Sequence, residues 1–238
     1  MELSKRLFAV ASLVTPGNRI ADIGTDHAYI PIYLMEKKRS ISAIAMDVNK
    51  GPLERAEVHI EEAGLQDLIE TRLSDGFEKL VPGEVDCAII AGMGGGLVIK
   101  ILSAYPEVTS RLKECVLQPQ SEIAKVRAFL LQQGFQFVEE DMVLDEGKYY
   151  PMMKVVPSKT SETEPRFDGW TETELRFGKL LLEEKNPVLH TFLKREYTLH
   201  KQILKRLEEK SGEKIEKRKS ELKEDLYHIE KGLEYYAV

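Results

Sequence analysis

Between residues 18 and 156, short β-branched and apolar runs alternate with stretches of helical periodicity, and the alternation fails only once, at its end. Strands are read at 19–24 (RIADIG), 42–47 (SAIAMD), 69–74 (IETRLS), 85–92 (VDCAIIAG), 114–119 (ECVLQP), 135–147 (FQFVEEDMVLDEG, bent) and 149–157 (YYPMMKVVP). Helices fill 28–38, 51–63, 95–103 and 120–133, with Gly64 and Gly134 just past two of them. Strands separated by helices build parallel crossover units, so the chain predicts a doubly wound α/β sheet. The last two runs have no helix between them, and the turn at DEGKYY makes them an antiparallel hairpin. Ahead of the first strand, Leu3, Leu7, Val10 and Val14 share one face of a short amphipathic helix. Lys5 and Arg6 precede a very short apolar stretch that leads straight into Thr15-Pro16-Gly17, which argues against a signal peptide.

Five parallel strands followed by an antiparallel hairpin is the layout of Rossmann-like class I methyltransferase domains, whereas nicotinamide dehydrogenases more often keep a parallel sixth strand. That domain is assigned to residues 1–160. Residues 161–238 open with a polar linker broken by Pro165 and Gly169 and then become almost pure helix. Leu175, Leu182 and Leu189 recur every seven residues, with Pro187 interrupting. Leu193, Leu199, Ile203 and Leu207 precede Ser211-Gly212, and Ile215, Leu222, Leu226, Ile229 and Leu233 follow it. Two long helices joined there predict an antiparallel α-helical coiled-coil domain.

Net charge is −6, but its distribution decides more than its sum. Residues 171–238 hold 15 Lys/Arg against 14 Asp/Glu, which leaves 19 against 26 of the chain's 34 and 40 in the first part. The tail carries basic clusters at Lys194-Arg195, Lys205-Arg206 and Lys217-Arg218-Lys219. No apolar run approaches the roughly 20 residues that span a bilayer. Cys87 and Cys115 form neither a disulfide framework nor a metal set and are read as buried hydrophobes in a reducing cytosol. A cytoplasmic protein with no membrane and no metal partner is expected.

The chemistry starts in ADIGTDHAYIPI, residues 21–32. A strand ends near Asp22, the chain turns at Gly24, and a helix starts near Ala28. Dinucleotide folds hold pyrophosphate at such a helix start and keep side chains away with glycines. Here Asp26 stands at the closest approach. A carboxylate there repels pyrophosphate and suits a cationic ligand such as S-adenosylmethionine, unless it merely caps the helix. Asp47 ends the second strand 23 residues after Gly24, where an acid takes ribose hydroxyls. Asp75-Gly76 ends the third strand, where the acid can accept an adenine amino proton or simply form a turn. Gly92, Met93 and Gly94 open the fourth strand's exit, where bare backbone can approach a flat ring. Amino-methylating enzymes often place an acid-Pro-Pro-aromatic motif there, which this chain lacks.

Taken together, ADIGTDHAYIP, AMDVNKGPL, SDGF, AGMGGGL, LQPQ and DEGKYYPMM, with the helical tail, resemble the bacterial tRNA (adenine-N1)-methyltransferase family, which modifies adenine 22 of tRNA. The resemblance spans nearly the whole chain. It implies S-adenosyl-L-methionine as donor, tRNA as partner, and a coiled coil that helps grip the RNA. Carried over by position, Asp22, Gly24, Asp26, His27, Asp47, Asn49, Asp75, Gly76, Gly92, Met93 and Gly94 hold the donor. Asp26, then Asp22, are the carboxylates to stabilise the charge that develops on the methylated ring, while Tyr29 is a catalytic and stacking candidate. His27 is read as shaping the loop or as a base. Gln118, Tyr149 and Tyr150 are assigned to the substrate base and Lys217, Arg218 and Lys219 to the tRNA backbone. The competing reading is a small-molecule methyltransferase whose coiled coil serves self-association.

Overall fold

The computed structural model describes residues 2–157, 169–208 and 210–237. The chain divides into two compact units, Met1–Phe167 and Asp168–Val238. The expected boundary at 160/161 and Pro165 fall outside the described residues.

In the first unit, α1 (Lys5–Leu13) precedes β1 (Asn18–Ile23), α2 (Tyr29–Glu36), β2 (Ser40–Asp47), α3 (Lys50–Glu62) and β3 (Ile69–Leu73). Then come β4 (Cys87–Met93), α4 (Gly95–Ala104), α5 (Pro106–Thr109), β5 (Glu114–Pro119), α6 (Ile123–Gln132), β6 (Gln136–Asp145) and β7 (Lys148–Val156). The strands form one sheet in the order β3-β2-β1-β4-β5-β7-β6. β1 to β5 run parallel, and β7 is antiparallel to both β5 and β6. The expected hairpin is therefore present, and β6 carries a register shift between Phe137 and Glu139.

The central strands are buried on both faces, as parallel strands covered by helices must be. Alternate residues feed two core layers. Ala21, Ile90, Cys115 and Leu117 pack with residues of α4 and α6, while Ile20, Cys87, Ile89 and Val116 pack with residues of α1, α2 and α3. The two free cysteines thus sit in opposite layers and are fully buried. Burial pushes the Cys115 thiol up to about 12 and raises Cys87 well above its ordinary value. The buried ion pair Arg127–Glu140 (2.8 Å) ties α6 to β6.

Two helix starts differ from expectation for a local reason. α2 begins after Ala28, which is left-handed (φ 52°), and α6 begins after Glu122, also left-handed (φ 51°), rather than at 120. Residues 120 and 121 are instead spent on the exit of β4: Gln120 N–H donates to Met93 carbonyl (2.8 Å) and Gly95 N–H to Ser121 Oγ (3.3 Å).

The second unit contains α7 (Glu172–Phe177), α8 (Lys179–Glu183), α9 (Pro187–Leu207) and α10 (Glu213–Glu234). The seven-residue leucine series at 175, 182 and 189 does not run along one helix. Gly178 (φ 95°) separates α7 from α8, and Asn186 starts a new helix by accepting from the Val188 and Leu189 amides ahead of Pro187. A capping box between Thr171 and Glu174 starts α7. The two long helices run antiparallel: His200 faces Asp225 (3.6 Å), Lys201 faces Glu230 (3.8 Å), and the His190 and Tyr236 rings stack at 4.2 Å. Leu189, Leu193, Leu222, Leu226 and Ile229 fill the buried seam, and Thr173 Oγ1 meets Nδ1 of the buried His228 at 2.9 Å.

Candidate active site

The strand order reverses between β1 and β4, and in open α/β sheets a ligand crevice lies at the carboxyl ends of the strands at that point. Every donor-site residue expected from the sequence, from Asp22 to Gly94, falls on this edge of the first unit.

At the exit of β1 the loop is tied to β2, since the amides of Gly24 and Thr25 both donate to Met46 carbonyl (2.8 and 2.9 Å). Gly24 has φ 76°, a conformation that side chains with a Cβ rarely adopt, and the end of the Met93 side chain from β4 packs against it. Thr25 Oγ1, not Asp26, accepts the Ala28 amide at the start of α2 (3.2 Å). Asp26 does not cap the helix. Its exposed carboxylate accepts from Arg55 Nε on α3 (3.0 Å) and from Arg55 Nη2, and it faces His27 Nε2 at 3.3 Å. The His27 ring stacks on Tyr29 (4.9 Å) and on His59 (5.0 Å), and the His59 Nδ1 lies 3.3 Å from His27 carbonyl. The His27 Nδ1 is buried without a hydrogen-bond partner.

Asp22 differs from Asp26. It is 7% exposed and has no cation within ion-pair distance among the described residues. Burial, opposed by a hydrogen bond from Thr25 and reinforced by the charge of Asp47, pushes its carboxyl up to about 6. The sequence ranked Asp26 above Asp22 as the spare negative charge. In the folded chain Asp26 is already matched by Arg55, and Asp22 is the acid without a counter-charge.

Asp47 ends β2. One of its oxygens accepts the Asn49 amide (2.7 Å), and its carbonyl accepts the Ser74 amide (2.9 Å), which draws the exit of β3 alongside. Asp75 follows, paired with Lys100 of α4 at 3.3 Å, and Gly76 turns the chain with φ 58°. At the exit of β4, Gly92 has φ 82°, and Gly94 precedes α4. A Cβ on Gly95 would strike the Ser121 carbonyl, so the glycine run closes the loop against residues 120–122.

On the other side of the reversal, Gln118 of β5 is fully buried. Of the two tyrosines, Tyr150 shares the α1 face of the sheet with Gln118, while Tyr149, its neighbour on β7, points to the opposite face by strand alternation. Only Tyr150 joins Gln118. Lys217, Arg218 and Lys219 lie on α10 in the second unit, where Arg218 and Lys219 pair with Glu221 (3.0 Å) and Glu216 (2.8 Å) on the same helix. Sequence reasoning missed Arg55 and His59, which α3 brings to the β1 loop, and Arg6, which α1 brings to Gln118 (3.1 Å). No spacing pattern links residues 112 positions apart.

Residues 3–153 match the family model of a methyltransferase domain. The chain is 34% identical over 196 residues to the Bacillus subtilis tRNA (adenine(22)-N(1))-methyltransferase, covering 82% of this chain and 80% of that protein. Among solved structures, a putative tRNA (m1A22) methyltransferase from Streptococcus pneumoniae is 31% identical with a TM-score of 0.86, over 98% of this chain and all of that one. The same protein in complex with S-adenosyl-L-methionine gives 30% and 0.84, over 98% and 100%.

Proposed function

This chain belongs to the tRNA (adenine(22)-N(1))-methyltransferase family, and on that premise we propose how its strand edge divides the work. It is an S-adenosylmethionine-dependent enzyme that methylates N1 of adenine 22 in tRNA. The names of its relatives do not favour the small-molecule reading.

The residues present fit the donor. The left-handed turn at Gly24 keeps a side chain out of the β1 exit, and Asp22 is a buried acid with no counter-charge. S-adenosylmethionine, when bound, supplies a methyl group on a cationic sulfur. Asp47 holds ribose hydroxyls, with Asn49 fixing its orientation through the amide bond. Asp75-Gly76 takes the adenine edge of the donor. Asp22 faces the donor's cationic end, Gly24 and His27 shape the wall, and the Gly92-Met93-Gly94 backbone lies between donor and acceptor.

Adenine N1 carries an in-plane lone pair and needs no strong base. Catalysis is then alignment and exclusion of water. The methylated ring gains a positive charge, and Asp26 remains the candidate to answer it, with Arg55 as its partner until then. Tyr29 and Tyr150 are stacking surfaces for the flipped base, and the buried Gln118, with both ends of its amide engaged, supports the acceptor side through Arg6. The helical hairpin, read as a coiled coil, grips the tRNA through its cations, the exposed Lys217 and Arg218 and the half-buried Lys219 among them. No described helix is long and apolar enough to cross a membrane, and we place the enzyme's work in the cytoplasm.

The observation that carries this reading is the convergence of Asp22, Asp47, Asp75 and the Gly92–Gly94 loop on one strand edge. Incubation with unmodified bulk tRNA and labelled donor, followed by nucleoside analysis, tests it. The expected product is 1-methyladenosine at position 22. A different methylated nucleoside, or none, would sink the reading.

A further inference from the structure

The acceptor side of the edge holds a cation for which the reaction as described has no use. Arg6 is half-buried on α1. Its backbone N–H donates to Asp145 at the end of β6 (3.1 Å), its Nη1 donates to Gln118 Oε1 on β5 (3.1 Å), and its guanidinium lies 5.5 Å from the Tyr150 ring centroid on β7. A Cβ built on Gly92 would stand 3.4 Å from Nη1. Gln118 is itself fixed, because its Nε2 donates to Pro119 carbonyl (3.3 Å). β5 and β7 therefore hold the guanidinium beside the glycine loop, and β6 holds the backbone that carries it.

Among the described residues no carboxylate pairs with that guanidinium, and one of its five N–H groups has a protein partner. Four other arginines of this unit meet carboxylates, Arg19 with Asp86, Arg55 with Asp26, Arg72 with Glu70 and Glu84, and Arg127 with Glu140, whereas Arg39 is held by the Ser12 and Val14 carbonyls, away from the strand exits. A neutral amide and the face of the Tyr150 ring hold this cation without neutralising its charge. The planar fork that remains suits a phosphate. Its place on the sheet decides which substrate supplies the anion. Asp47 and Asp75 lie at the exits of β2 and β3, on one side of β1, whereas Arg6 sits over β4, β5 and β7, on the other.

We propose that Arg6 is a positioning residue for the acceptor, taking a backbone phosphate of the tRNA beside the target adenosine and so setting the adenine over the Gly92–Gly94 loop. This rests on the reading of the site as one for adenine-N1 methylation of tRNA. A phosphate contact fixes register without reading sequence, which is what alignment of N1 requires.

The test compares full-length Arg6→Gln, Arg6→Met and Arg6→Lys with wild type. It reads tRNA affinity against salt, kcat and KM for unmodified tRNA, and donor affinity by calorimetry. The neutral variants should flatten the log–log salt slope by about one phosphate contact. They should lower kcat/KM by about 10–100-fold, with donor affinity held within about twofold. Arg6→Lys should keep the slope and recover part of kcat/KM, since the charge remains without the fork. An unchanged slope in the neutral variants overturns the proposal. A lost donor affinity with an unchanged slope gives Arg6 to the donor's carboxylate instead. If neither neutral variant folds, Arg6 is structural and the proposal fails. Wild type that binds tRNA without transferring methyl groups sinks the functional reading and leaves the slope comparison to judge Arg6, while wild type that does not bind tRNA sinks both.

Discussion

Buried carboxylates at the two ends of the same parallel strands are treated in opposite ways, while the exposed Asp26 and Asp75 at the carboxyl end pair with Arg55 and Lys100. At the amino-terminal end, Asp86 accepts from Arg19 Nε (2.9 Å), Nη2 (3.0 Å) and the Arg19 amide (3.0 Å), and Lys113 stands at 3.1 Å. That pairing holds its carboxyl well below the usual range. Beside it Glu114 is buried against the Thr15 amide (2.8 Å) and Lys154 (3.3 Å). At the carboxyl end, Asp22 is just as buried, yet only a hydroxyl answers it, and its carboxyl is pushed up. Where the sheet needs an acid for itself, it brings a cation from a neighbouring segment. Where the acid awaits a cationic ligand, the protein leaves it unmatched, which costs stability in the free enzyme.

Four variants sharpen or break this contrast. Asp47→Ala removes charge-assisted hydrogen bonds to the donor and should weaken its binding by roughly 2–4 kcal/mol by calorimetry, with the unfolding midpoint nearly unchanged. Asp86→Ala should do the reverse. Stripping the partner from Arg19 and Lys113 should cost about 2–3 kcal/mol in denaturant unfolding and leave donor affinity alone in the folded variant.

Asp22→Asn reports on the unmatched acid. Its folded pKa of about 6 lies above its ordinary 3.8, so the folded state binds the proton more tightly. Wild-type stability therefore falls as pH rises from 3.8 to about 6 and then levels off. The amide should gain about 1–2 kcal/mol over wild type at pH 7 and lose that slope in thermal melts from pH 4 to 8. A variant less stable than wild type at pH 7 would mean that Asp22 serves the fold. Smallest is the effect of reversing Lys217, Arg218 and Lys219 together. The exposed Arg218–Glu221 pair contributes at most about 1 kcal/mol, and the half-buried Lys219 adds a local cost through its bonds to Glu216 and the Lys210 carbonyl (2.8 Å) that folding should survive. The salt slope of tRNA binding should flatten by up to about three. An unchanged slope would leave the hairpin to self-association.

The contrast was half legible in the sequence. Strand runs ending in Asp22, Asp47 and Asp75-Gly76 stand out because alternation, turn residues and spacing are local signals. What pairs with those acids is not local. Arg55 reaches Asp26 from 29 positions away, and Arg6 reaches Gln118 from 112. Both depend on where α3 and α1 pack, so Asp26 looked spare when it is not. The start of α6 was misread because Gln120 and Ser121 serve the β4 exit, a use that helical periodicity does not reveal. The leucine series across 175–189 was read as interrupted only at Pro187, because period ignores the positive φ that Gly178 adopts.

Donor binding as a function of pH tests the central claim most directly. If Asp22 is held for the donor's cationic end, binding requires its ionised form. Calorimetric affinity of the wild type for S-adenosylmethionine should then tighten as pH rises from 5 to 7 with a midpoint at about 6. The Asp22→Asn variant should bind more weakly and show a flat profile over the same range. Identical profiles in the two proteins would contradict the account and return Asp22 to the fold.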